Sequence, residues 1–199
     1  QATETENIKG AVDDRVPLIA LLLVQLLIGY EWFMSGLVKV VRGDFPSGLA
    51  AELTEKMQGA VAWYANFLNA VVIPNGSVFG YVIMISELLA GVALIGGALL
   101  WLFRWGRLPL NVRKLVLLVI IIAGLGSIFL LINLHLANGS AHPWVLPKSG
   151  FDEGVDLDSL LPAVQAVIVG VSVIYLARLR RVQALAAPAS SAIVSGIRN

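Results

Sequence analysis

Three charged residues stand inside apolar stretches of this chain: Glu31 and Lys39 in one, Glu87 in another. Charge inside a bilayer-length apolar run is costly, so each is a functional candidate. Glu31, Ser35 and Lys39 are spaced by four and share one helix face. Glu87 lies about ten residues into its stretch, about 15 Å at 1.5 Å per residue, near a bilayer midplane. Glu31 lies about ten residues below the outer end of its own helix at the same rise. On antiparallel helices the two carboxylates would therefore meet at one depth, with Lys39 two turns above Glu31. Two carboxylates taken out of water tend to retain a proton between them, while a nearby ammonium keeps one charged. That chemistry suits a proton donor or acceptor for a redox-active ligand. Glu31 and Glu87 are thus the candidate catalytic groups, and Lys39 and Ser35 candidate binding groups. The plainer reading is structural: Glu31 and Lys39 pair through Ser35, Glu87 hydrogen-bonds a neighbouring helix, and Lys39 snorkels to the interface.

The remaining polar residues of the apolar stretches are unevenly placed. Asn133, His135 and Asn138 come late in the third, and Gln165 comes early in the fourth. On alternating helices these positions all fall in the outer half. The inner halves are mostly aliphatic, with Gln25 the main exception and Ser127, Ser172 and Tyr175 the few others. The asymmetry implies a polar pocket opening outward, with His135, Asn133 and Gln165 as further cofactor-binding candidates. The sparse inner half argues against a transporter. His135 reads as a hydrogen-bond donor near the pocket mouth, and His142-Pro143-Trp144 as an interfacial loop anchor. Two histidines seven apart and no cysteine do not supply a haem, iron–sulfur or metal site. No flavin motif, P-loop, zinc-protease motif or nucleophile elbow is present.

The elements that would position these groups are transmembrane helices. Hydrophobic residues make up 58% of the 199 and charged residues 14%, against roughly 25% charged in a soluble domain. Four segments have the roughly 20 apolar residues a span needs: about 17–41, 78–103, 115–136 and 160–177, the last the shortest. The chain reads as an all-α, four-helix membrane domain over 16–182, with a polar segment at 1–15 and a weakly ordered tail at 183–199. Residues 1–15 lack a signal-peptide pattern, so the first span would serve as the insertion signal. Arg104, Arg107, Arg113 and Lys114 follow span two, and Arg178, Arg180 and Arg181 follow span four; the loop before span four is acidic. Positive-inside placement then puts both termini in the cytoplasm of an inner-membrane protein. Residues 47–72 read as an amphipathic or re-entrant outer-face helix between spans one and two, with Trp63 and Tyr64 at interfacial depth. The net charge of +1 leaves nucleic acid without a basic surface to bind.

Small residues point to helix contacts: Gly29, Gly36, Gly91, Gly96, Gly97, Gly124, Gly126 and Gly170. Asn75-Gly76-Ser77 and Asn138-Gly139-Ser140 match the glycosylation acceptor pattern but read more simply as turns. No internal repeat stands out.

The run Trp32-Phe33-Met34-Ser35-Gly36-Leu37-Val38-Lys39, followed by Gly43-Asp44-Phe45, ends the first span. Glu87-Leu88-Leu89-Ala90-Gly91 lies in the second. Over roughly 16–137 the chain resembles the DoxX/DoxD-like family of small four-helix membrane proteins. Its pattern is a Gly-x-x-Lys near the end of the first helix, an amphipathic connection, and a Glu-x-x-x-Gly in the second. Gly36, Lys39, Glu87 and Gly91 are the matching positions, and Glu31 has no counterpart. The resemblance implies association with thiosulfate:quinone oxidoreductase and related membrane redox assemblies. It implies quinone as cofactor and other membrane or peripheral redox subunits as partners, beside the lipid bilayer. A quinone-linked oxidoreductase subunit is the first expectation. The alternative is a non-catalytic accessory subunit of a respiratory or photosynthetic complex; whether the chain is itself an enzyme stays open.

Overall fold

The computed structural model describes residues 16–138 and 157–196, with side chains over 16–138 and 160–184. The readings of 1–15, of the acidic loop with His142, and of the Gly139-Ser140 part of the second glycosylation pattern lie outside the described residues. Among the described residues six α-helices follow one another: α1 (Val16–Arg42), α2 (Phe45–Lys56), α3 (Ala62–Phe67), α4 (Gly76–Arg104), α5 (Leu110–Ala137) and α6 (Leu157–Gly196). No strand occurs among the described residues. Four helical stretches among the described residues are long and apolar enough to cross a membrane: Val16–Arg42, Ala62–Arg107, Leu110–Ala137 and Leu160–Ala184. The helices expose Leu23, Leu27, Val82, Ile85, Leu89, Leu118, Ile122, Leu125 and Phe129. An apolar coat of this extent has no place on a water-facing monomer and suits lipid.

Helix contacts fix the registers. A Cβ on Gly29 would meet Leu94 and Ile95, one on Gly36 would meet Leu88, and one on Gly91 would meet Phe33. Each step forward along α1 therefore matches a step back along α4, and the two are antiparallel. Gly80 against Pro46 and Gly76 against Ala50 continue the same register. α2 thus runs on beyond α1, along the first turns of α4. The joint between them is Gly43, whose φ of 73° lies in the left-handed region that favours glycine. Its N–H donates to the Lys39 carbonyl at 3.0 Å, closing α1. Pro46 sits in the first turn of α2, where its missing N–H costs nothing.

The expected outer helix over 47–72 is not one helix. α2 ends at Lys56, a short 3-10 turn covers Met57–Gly59, and Ala60 and Val61 are extended before α3 begins. A π-helical turn, Leu68–Val72, and a 3-10 turn, Ile73–Asn75, then lead into α4 without a loop. This stretch doubles back. Gly97 packs on Ile120, which puts Gly80 level with the end of α5. Tyr64 precedes Gly76 by twelve residues, about 18 Å along a straight helix. Yet its hydroxyl donates to Asn133, both to the backbone carbonyl at 3.1 Å and to Oδ1 at 3.0 Å. Pro74 lacks an N–H and Asn75 leaves helical geometry at φ −112°, ψ 27°, which allows the bend. The Asn75 amide donates to the Val71 carbonyl at 2.9 Å, the turn role expected of it. Leu49, Leu53, Tyr64, Leu68, Val72 and Ala137 bury one another here, so the segment caps this end of the bundle.

A middle cluster joins Ile28, Trp32, Leu94, Ile120, Leu131 and Ile168. A third joins Leu22, Ala98, Trp101, Leu117 and Leu176 near the other end. There Trp101 and Trp105 stack at 4.3 Å, and Arg113 donates to the carbonyls of Leu108 and Gly106 at 2.8 and 3.1 Å. One expectation is corrected: Gly96, Gly126 and Gly170 face open space, so only part of the glycine set marks helix contacts. The helix that carries the fourth span runs on beyond it to Gly196.

Candidate functional site

The site forms where α1, α2 and α4 meet beneath the cap. Ser35 and Lys39 lie one helical turn apart on α1, and Glu87 faces them from α4. Gly36 against Leu88 and Gly91 against Phe33 hold the backbones close on either side. Lys39 Nζ donates to Glu87 Oε2 in an ion pair and to Ser35 Oγ at 2.9 Å. Ser35 Oγ donates in turn to the same Glu87 oxygen at 3.1 Å. Phe45, the first residue of α2, places its ring 4.9 Å from Lys39 Nζ, an added cation–π contact. Glu87 is only 2% exposed, whereas the Lys39 side chain is 21% exposed. The carboxylate is thus sealed, and its two partners form the boundary with the outside.

That boundary is the floor of an open groove of about 780 Å³, lined by residues 31–52 of α1, the Gly43 corner and α2. Met34, Val38 and Phe45 give it an apolar side; Glu31, Ser35, Lys39, Arg42, Asp44, Ser47 and Glu52 give it a polar one. The lining is thus amphiphilic.

Sequence reasoning placed the pocket between spans one and two, lined by all four helices. The groove instead lies between α1 and α2, and α4, α5 and α6 contribute no lining residue. Ser35, Lys39 and Glu87 come together as expected. Glu31 does not join them inside: it is exposed on the groove side of α1, with no hydrogen bond or ion pair to a described residue. The expected inward pair of carboxylates is corrected to a single buried carboxylate with a lysine. The stripe Glu31, Ser35, Lys39 straddles the edge of the α1–α4 contact. Its later members fall inside the contact and its first outside.

The other three candidates are also elsewhere. Asn133 Oδ1 accepts from Tyr64, and its amide donates to the Phe129 carbonyl at 2.7 Å. His135 is buried on the inward stripe of α5. Gln165 is 1% exposed inside the bundle. The cap formed by 57–75 absorbs the polar outer end of α5 that had seemed to open outward. Arg42, Asp44, Ser47 and Glu52 were missed as groove residues; the signal was Gly43 directly after Arg42, which makes the corner between α1 and α2 where the groove lies. Among the described residues no group of three or more His, Asp or Glu stands together to hold a metal.

Gly36, Lys39, Glu87 and Gly91 build the α1–α4 contact and its ion pair. No family model, curated protein or solved structure matches this chain.

Proposed function

We propose that this protein is a quinone-linked membrane subunit of an oxidoreductase, with the quinone headgroup in the α1–α2 groove. The observation that supports it is the path from sealed Glu87 through Ser35 and Lys39 to an amphiphilic groove. Reducing a quinone to a quinol takes two electrons and two protons. The electrons come from the redox group of a partner subunit. Lys39 Nζ, held by Glu87 and Ser35, gives one proton to the quinone oxygen, and water in the open groove supplies the second and restores the ammonium. Reconstituted in nanodiscs, the protein should bind a photoreactive quinone saturably, with crosslinks falling within 31–52. Lys39→Met should weaken that binding about tenfold, the cost of one charge-assisted hydrogen bond. Unsaturable labelling, or labelling spread over all lipid-facing helices, would sink this reading.

A second reading is favoured by a specific observation: the Lys39–Glu87 pair is satisfied within the chain and sits between two tight glycine contacts. A pair of that kind pins α1 to α4, as a non-catalytic accessory subunit needs. Glu87→Gln separates the two. It should slow quinone-coupled turnover with assembly intact in the first case, and change only assembly or stability in the second.

In either case we place the capped end outside the inner membrane and the basic end in the cytoplasm, on the Arg and Lys residues flanking 104–114 and 178–181. The chain lacks cysteine, so single-cysteine labelling is clean. A cysteine at exposed Ser47 should react with an impermeant maleimide in intact cells, and one at Gly106 only after lysis. The reverse pattern would invert the protein and close the groove to the exterior.

A further inference from the structure

Four buried polar atoms lack a hydrogen-bond partner among the described residues: Trp32 Nε1, Ser127 Oγ and both amide atoms of Gln165. They belong to α1, α5 and α6, and packing brings them to one depth around the middle cluster. Gly124 lies against Val169, so on the antiparallel pair Ser127 comes level with Gln165. Ser127 lies on the buried stripe Ile120, Gly124, Leu131 of α5, and Gln165 on the buried stripe Ile168, Val169, Ser172 of α6. Trp32 packs in the same cluster as Leu131 and Ile168, each about one turn from Ser127 or Gln165. None of the three lines the groove. Trp32 is seven residues from Lys39, about 10 Å further into the bundle.

The rest of the interior satisfies its polar groups. Gln25 donates to the Leu94 carbonyl at 2.9 Å and Ser172 to the Ile168 carbonyl at 2.8 Å. The unpartnered set is therefore a local exception and not a general looseness of packing. Hydrocarbon around the bundle offers no substitute partners, and an unmade hydrogen bond on a buried group is strongly unfavourable. The groups are mutually complementary toward one small ligand. An indole N–H donates, a glutamine offers both donors and an acceptor, and a hydroxyl offers both. A buried water takes two to four such partners.

We propose that Trp32, Ser127 and Gln165 bind water in the middle of the bundle, at a site separate from the groove. The indole donates to the water oxygen, the water donates to Gln165 Oε1, and Ser127 completes the set. The site binds together three helices, of which α1 and α6 otherwise touch little.

Hydroxyl-radical footprinting of the protein in nanodiscs, with radicals generated by an X-ray pulse, tests this directly, because bound water yields radicals beside the residues holding it. Trp32 is 5% exposed, yet it should be oxidised. With the sample moved briefly into ¹⁸O water, the label should appear in Trp32 slowly, as exchange of a held water requires. Gln165→Leu should suppress Trp32 oxidation at least about tenfold and lower Tm by about 2–4 °C, one hydrogen bond's worth for a chain of this size. Ser127→Ala, which removes only a hydroxyl, gives the same readouts if the leucine variant fails to fold. Its effect should be non-additive with that of Gln165→Leu. Absence of Trp32 oxidation in the unaltered protein overturns the proposal. So does a rise in Tm on Gln165→Leu, the result expected if the site is dry and an apolar side chain relieves it.

Discussion

Gly91→Ala should destabilise the protein by about 3 kcal/mol, at the upper end of overpacking costs, while Gly96→Ala should be neutral or stabilise it by about 0.5 kcal/mol. The two glycines are five residues apart on the same helix and differ only in what they face. A Cβ on Gly91 would lie 2.4 Å from the Phe33 backbone nitrogen and 2.5 Å from its Cα, and neither atom can rotate away. The same atom on Gly96 meets nothing within 4 Å. α1 and α4 would have to separate to admit the methyl, which would also pull Ser35 and Lys39 from Glu87. Gly36→Ala, whose Cβ meets the Leu88 nitrogen at 2.5 Å, should behave like Gly91→Ala. Reversible unfolding in mixed micelles measures the difference. Equal stability of the Gly91 and Gly96 variants would show that α1 and α4 are not packed in this register.

Lys39→Met should cost about 3 kcal/mol and Glu87→Gln only about 1 kcal/mol, although both break the same ion pair. The asymmetry comes from burial. Glu87, at 2% exposure, has nowhere to send its charge when the lysine is gone. Lys39, with its ammonium at the groove floor, can turn to Asp44, Glu52 or water when the glutamate is neutralised. The double variant should be more stable than Lys39→Met alone, with a coupling of about 1–2 kcal/mol for groups in direct contact. A double-mutant cycle by the same unfolding assay gives both numbers. If Glu87→Gln proves the more damaging, the lysine is the trapped charge, and the groove does not reach it.

The two experiments bear on function through the same contact. If quinone binding depends on the groove, Gly91→Ala should weaken it by displacing Lys39 from the groove floor, and Gly96→Ala should leave it unchanged. This separates a site that needs the α1–α4 register from one formed by α1 and α2 alone.

Much of this arrangement was legible in the residues. Apolar runs of bilayer length announce spans whatever they pack against, because the requirement is set by the thickness of the hydrocarbon and not by a partner. Rise per residue put Glu31 and Glu87 at one depth, with Lys39 reaching down to them; the Gly36–Leu88 contact instead sets Glu87 level with the residue after Gly36, about 9 Å along α1 from Glu31. Depth, however, is only one coordinate. Glu31 and Ser35 differ by one turn, yet one is exposed and the other bonds Glu87. Rotation of α1 about its own axis decides which lies inside, and that rotation is set by Gly29, Gly36 and Phe33 against α4.

By itself the sequence determined the four membrane-length helices and the approach of Lys39 to Glu87 across α1 and α4. These follow from local geometry and from the cost of leaving charge or unpaired backbone in hydrocarbon. Only the tertiary structure decided that Glu87 is sealed, that Glu31 stays outside, and that the groove belongs to α1 and α2. It alone turned the polar C-terminal end of α5 inward onto Tyr64, and set Gln165 opposite Ser127 in the core. Those outcomes depend on how 57–75 folds back across the bundle and how each helix is rotated, and both are fixed by contacts between residues far apart in the chain. A bilayer rewards any apolar face equally, so hydrophobicity cannot choose among rotations; close backbone approach at a few glycines does.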